Sequence, residues 1–202
     1  MQTNNIQQVL LDVRKSYRFL YQYQKRILDL ISFIGGKYSR QYSGGWPKFS
    51  KAAPRNGGGD LGCWAWDWLN MYFYEFHFES ENKVSFSIFL LNDTGYFQAN
   101  NENKSVKRTS VSKFTDVENS ESKLIFVVGK NLWEGWGRDW DEPEFILKSE
   151  GEKVKDNGIM VFKHYSLENF ETENKANECL KNFEIYCLKK GIEFKVAENL
   201  LE

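Results

Sequence analysis

Between Trp64 and Phe78 the even-numbered positions are Trp64, Trp66, Trp68, Asn70, Tyr72, Tyr74, Phe76 and Phe78, so all but one are aromatic. A two-residue period places those rings on one face of an extended chain, because successive strand side chains point to opposite sides. The segment exceeds the usual ~3 to 10 residues of a strand, which predicts a break near Asp67 to Asn70 and a strand over 71–79. Its partner is legible in 83–91. A three-residue turn at Ser80, Glu81 and Asn82, with Asn82 left-handed, sets Phe78 against Val84, Phe76 against Phe86 and Tyr74 against Ile88, so every apolar residue meets another.

A helical period governs the N-terminal segment. Asn4 and Gln7 have the spacing of a capping box, and Ile6, Leu10, Val13, Tyr17, Leu20, Gln24, Ile27, Ile31 and Ile34 follow at alternating spacings of four and three up to Gly35-Gly36. This is a heptad seam, suited to a homodimer through the N-terminal helix. From Tyr21 onward the stripe widens with Tyr21, Tyr23, Leu28 and Leu30, and that width predicts a helix lying on a sheet.

Further on, Leu124 to Val128 is a continuous apolar run, the pattern of a central strand buried on both faces. Short strands are expected near Tyr96 to Ala99, around Val106 to Phe114, over Ile159 to Tyr165 and at Ile192 to Val196. Ala176, Cys179, Leu180, Phe183, Cys187 and Leu188 recur at helical spacing before Gly191, which predicts a C-terminal helix. The pattern as a whole predicts one α+β domain over 1–202: a largely antiparallel sheet of about five strands, with the long N-terminal helix and the C-terminal helix packed on it.

Composition narrows the classes. The formal charge of −1 argues against a surface devoted wholly to nucleic acid. The N-terminus lacks a charged region followed by an apolar one, and no apolar run approaches the ~18 residues of a membrane span, so a cytoplasmic protein with no membrane partner is expected. Cys63, Cys179 and Cys187 show no C-x-x-C spacing, so neither a disulfide framework nor a zinc knuckle is expected, and the cofactor is left unknown.

Residues 37–62 read as a long irregular loop, rich in Gly, Ser, Pro and Tyr, and such loops in compact domains usually carry function. Between 37 and 55 the cations Lys37, Arg40, Lys48, Lys51 and Arg55 are interleaved with Tyr42 and Trp46, and there is no acid. Basic side chains track phosphates and aromatic rings stack bases, so an anionic ligand is expected here, a nucleotide or single-stranded nucleic acid first. The competing expectation is structural: residues 134–152 carry seven acids against two cations, and the two segments could dock on each other or serve a protein partner.

Three other patterns carry chemistry. Glu75, His77 and Glu79 share one strand face and could hold a divalent metal for a hydrolase or nuclease, with Asp67 as a further acid; the plain alternative is a solvated polar face. Asp93-Thr94-Gly95 resembles the catalytic loop of retroviral-type aspartic proteases over three residues, and the same residues make an ordinary turn. Trp133, Trp136 and Trp140 offer a carbohydrate-stacking surface or core material.

Overall fold

A computed structural model describes residues 5–51, 65–103, 105–133 and 143–197. The fold is α+β. Helix α1 (Ile6–Lys37) precedes β1 (Tyr42–Pro47), β2 (Phe73–Glu81) and β3 (Val84–Leu91). Helix α2 (Gly95–Glu102), β4 (Lys123–Lys130) and the short α3 (Pro143–Leu147) come next, then β5 (Glu150–Lys155), β6 (Gly158–Ser166) and α4 (Glu173–Lys189). The six strands form one sheet in the order β1-β2-β3-β4-β6-β5, and every neighbouring pair is antiparallel.

The parity of the aromatic segment holds. Phe76 and Phe78 on β2, Phe86, Ile88 and Leu90 on β3 and Leu124, Phe126 and Val128 on β4 face one way, against Ile27, Ile31 and Ile34 of α1 and Leu180, Phe183 and Cys187 of α4. The predicted break takes the form of two short 3-10 turns, Ala65–Trp68 and Asn70–Tyr72. The hairpin register differs from expectation by two residues: Phe78 faces Phe86, Phe76 faces Ile88 and Tyr74 faces Leu90. The turn is the two residues Asn82 and Lys83, both at positive φ, and a bulge between Phe78 and Glu81 absorbs one extra residue. A slip of two keeps every side chain on its own face, so the hydrophobic pattern could not distinguish the two registers.

The 37–62 stretch is not wholly irregular. Helix α1 continues through Gly35-Gly36 to Lys37, and Tyr42–Pro47 is the edge strand β1. Gly35 is required by close approach, since a Cβ there would sit 2.5 Å from the Phe78 ring. The strand expected at Tyr96 to Ala99 is helix α2: the Gly95 N–H donates to Asp93 Oδ1 at 2.7 Å, so the Asp93-Thr94-Gly95 turn starts a helix. Residues 106–114 form turns and a short 3-10 segment rather than a strand. Ile192 to Val196 forms no strand, although Ile192 and Phe194 are buried in the helix-side core. The side chain of Asn5, not Asn4, caps α1, and Asn4 lies outside the described residues.

The second face of the sheet is also covered. Phe73, Phe89, Leu91, Ile125 and Val127 pack beneath Phe49, Trp133, Phe145 and Ile146. The expected solvated polar face is therefore buried at Glu75 and along the whole of β3, half-buried at His77 and exposed at Glu79.

Candidate functional site

Two polar features occupy that second layer. The first lies where β1, β2 and β3 meet. Glu75 is fully buried, and the Lys48 ammonium, delivered just past the end of β1, stands 2.5 Å from its Oε2. Ser87 Oγ, also buried, donates to Glu75 Oε1 at 3.0 Å and accepts from Trp133 Nε1–H at 3.0 Å. His77 Nδ1 is 2.8 Å from the same oxygen. Ser87 has one proton and Glu75 takes it, so Nδ1 is the protonated nitrogen of His77. Burial lowers the His77 pKa, and the nearby Lys48 adds to that while Glu75 opposes it. Gly129 permits the arrangement: a Cβ there would lie 2.2 Å from Trp133 Cβ, so only glycine lets the chain after β4 fold back over the sheet.

This network is a latch rather than a reactive centre. Ser87 is wholly enclosed and its proton is committed, so it cannot attack a substrate. The carboxylate of Glu75 is occupied by Lys48 and Ser87, Glu79 is exposed, and buried Asp67 accepts from the Lys51 backbone N–H at 2.8 Å. Among the described residues no group of three His, Cys, Asp or Glu side chains converges as a metal site. Trp133 is core, and Trp136 and Trp140 lie outside the described residues.

The basic positions are dispersed in the same way. Lys37 pairs with Glu173 at 3.3 Å and Arg40 with Glu81 at 2.9 Å, both largely covered along their stems, and Lys48 is the buried partner of Glu75. Tyr42 and Lys51 are exposed, Trp46 is half-buried, and Arg55 lies outside the described residues. Three of the five cations are thus held by acids on β2 and α4 rather than by the described part of the 134–152 segment, of which residues 134–142 lie outside the described residues.

The second feature is a cleft of about 920 Å³ at the ends of β4 and β6, whose lining includes Glu121, Ser122, Lys123, Ser149, His164 and Glu168. Lys123 is only 7% exposed, and its ammonium lies 3.1 Å from Glu121, a carboxylate that is 69% exposed. His164 Nε2 sits 2.7 Å from the Phe145 carbonyl oxygen, to which it donates; Nδ1 is buried and has no hydrogen-bond partner among the described residues. Burial, reinforced by Lys123, lowers the His164 pKa to about 4. No local pattern signals this site, because its residues come from three separate segments brought together by the β4–β6 pairing and by the His164 N–H bond to the Ser149 carbonyl.

A family model described as PM0109 matches residues 3–195. The chain belongs to the PM0109 family. No curated protein and no solved structure matches it. Among the described residues of this PM0109 chain, no helix is long and apolar enough to cross a membrane.

The His164 shift carries a stability consequence. Its folded pKa of about 4 lies below the ordinary value of 6.5, so the unfolded chain binds more protons between them. Stability should be intact above pH 6.5 and fall as pH drops toward 4, by up to about 3 kcal/mol from this group. Urea denaturation across that range should show His164→Gln, which keeps a donor for the Phe145 carbonyl, losing less stability than the wild type on acidification. Equal losses in both chains would mean that His164 is not protected from protonation.

Proposed function

We propose that this PM0109 protein is a cytoplasmic binding protein for a small anionic ligand, a mononucleotide or another phosphate-bearing molecule, taken up in the cleft beside Lys123 and His164. The supporting observation is the pairing of a nearly buried ammonium with an exposed, displaceable carboxylate at the edge of a cleft of ligand size. An incoming anion can take the place of Glu121 on Lys123, while the serine hydroxyls of the lining supply hydrogen bonds. Binding at the 37–55 segment has less support, because Lys48 is committed to the buried Glu75 and the exposed partners of Lys37 and Arg40, Glu173 and Glu81, lie on separate elements.

An anion beside His164 raises its pKa, so binding draws in a proton. Affinity should therefore increase as pH falls through the window below 6.5. Calorimetric titration with sulfate, whose charge is constant there, should show this trend, and a mononucleotide titrated at neutral pH should bind at the same cleft. Lys123→Met should weaken both by about tenfold or more, and His164→Gln should flatten the pH dependence. Lys123→Met binding as tightly as the wild type, or no heat with either probe at millimolar concentration, would sink the cleft reading. Salt-dependent binding of single-stranded oligonucleotides that is lost on Lys51→Glu but kept in Lys123→Met would move the site to the 37–55 segment.

A further inference from the structure

Helix α1 has two unlike halves. From Tyr23 onward it lies on the sheet, and Ile27, Ile31 and Ile34 are buried. From Asn5 to Gln22 every residue is exposed, including Ile6 at 66%, Leu10 at 49% and Tyr17 at 73%. Yet Ile6, Leu10, Val13, Tyr17 and Leu20 continue the same heptad seam that is core further along. A helix of this length is marginal in water alone, and an uncovered apolar stripe gives it no tertiary support.

We infer that the free half of α1 pairs antiparallel with the same half of a second copy of this chain. Three features of the chain select that occupant. The first is register. With the seam positions assigned as alternating heptad a and d sites, an antiparallel pairing centred at residue 15 sets Leu10 against the partner's Leu20 and Val13 against the partner's Tyr17, and it brings Ile6 opposite the partner's Gln24.

The second is a receptor for the tip. At Gln24 the structure has an open, mainly apolar groove of about 460 Å³, lined by Phe19, Leu20, Tyr23, Trp66, Leu69 and Met71. The pairing lays Ile6 of each copy at the groove of the other, so one self-complementary surface is used twice, as a two-fold dimer requires. A parallel pairing would leave both grooves empty and crowd the two sheets against the same end of the helix pair.

The third is area. The seam residues and Val9 leave on the order of 600 Å² uncovered per chain, about the per-partner minimum of a stable interface. One like-charge contact remains: Arg14 meets its own copy beside the dyad, with no acid at the flanking positions, so added salt should tighten the dimer.

Sedimentation velocity of the full chain should give a dimer at micromolar concentration, more so at high salt. Leu10→Glu with Tyr17→Glu should give a monomer whose near-ultraviolet circular dichroism and melting of the sheet are those of the wild type. The orientation is read by disulfide trapping in a Cys63→Ser, Cys179→Ser background: mixed Leu10→Cys and Leu20→Cys chains should cross-link to each other and not to themselves. A wild-type chain that stays monomeric at about 100 μM, a dimer that survives the two glutamates, or cross-links of each chain to itself would overturn the inference. Should the glutamate variant fail to fold, the wild-type mass and the trapping result still decide. None of these readouts depends on the cleft.

Discussion

Replacing Glu75 with alanine should lower the stability of the chain by about 3 to 5 kcal/mol, a large share of the ~5 to 15 kcal/mol typical of a domain. The cost arises less from the lost pair than from what is left behind. Lys48 sits 2.5 Å from the carboxylate, nearly buried and with its ammonium 5.9 Å over the Phe89 ring, so truncation leaves a desolvated cation without the carboxylate that balances it. Ser87 loses the acceptor for its hydroxyl at the same time. Removing both charges should be much milder: Lys48→Met combined with Glu75→Leu should recover at least about 1 kcal/mol relative to the sum of the single variants, the sign of direct coupling. Urea denaturation of the four chains measures this. Additive effects, or a Glu75→Ala cost under about 1 kcal/mol, would mean that water reaches the pair and that it is no latch.

The buried position of this network shows where the sequence stops being informative. The odd positions of β2 and β3 carry Glu75, His77, Ser85 and Ser87, which locally read as a face turned to water. What encloses Glu75 and Ser87 comes from far along the chain, Lys48 from one segment and Trp133 from another. No pattern within the hairpin reports that. Parity was legible because the two-residue period is intrinsic to the strand, whereas register was not, because a bulge beside the turn shifts pairing by two without moving any side chain to the other face.

The missed elements share a cause. Strand β1 contains Gly44, Gly45 and Pro47, which read as loop punctuation, but an edge strand tolerates both residue types. Strand β5, Glu150–Lys155, is charged along most of its length and reads as an acidic surface segment; it is the opposite edge, where charge discourages pairing with another sheet. Strong apolar periodicity found the central strands and both long helices. At the edges, sequence is governed by solvent exposure, and the signal fades. The cleft at Lys123 and His164 is illegible for a further reason: it exists only once β4 and β6 are paired.

Phe86→Ala should cost about 3 to 5 kcal/mol, because it removes the ring at the centre of the helix-side core. Phe86 is fully buried and stacks on its cross-strand partner Phe78 with centroids 5.0 Å apart. Tyr38 from the end of α1 meets it edge-on at 5.4 Å, Phe194 lies 4.8 Å away and Phe126 5.9 Å away. The cavity left by the substitution would be walled by rings from α1, from two neighbouring strands and from the C-terminal segment, and four separately anchored elements cannot all collapse into it. His77→Ala, one position from the core-facing Phe76 and Phe78 but on the other face, should cost only about 1 kcal/mol, since Ser87 keeps its bonds to Glu75 and Trp133. The comparison separates the register seen here from the one expected from the hairpin pattern. In the observed pairing, Phe78 and Phe86 are direct neighbours and should couple in a double-mutant cycle more strongly than Phe76 with Phe86; the reverse order would restore the unbulged hairpin.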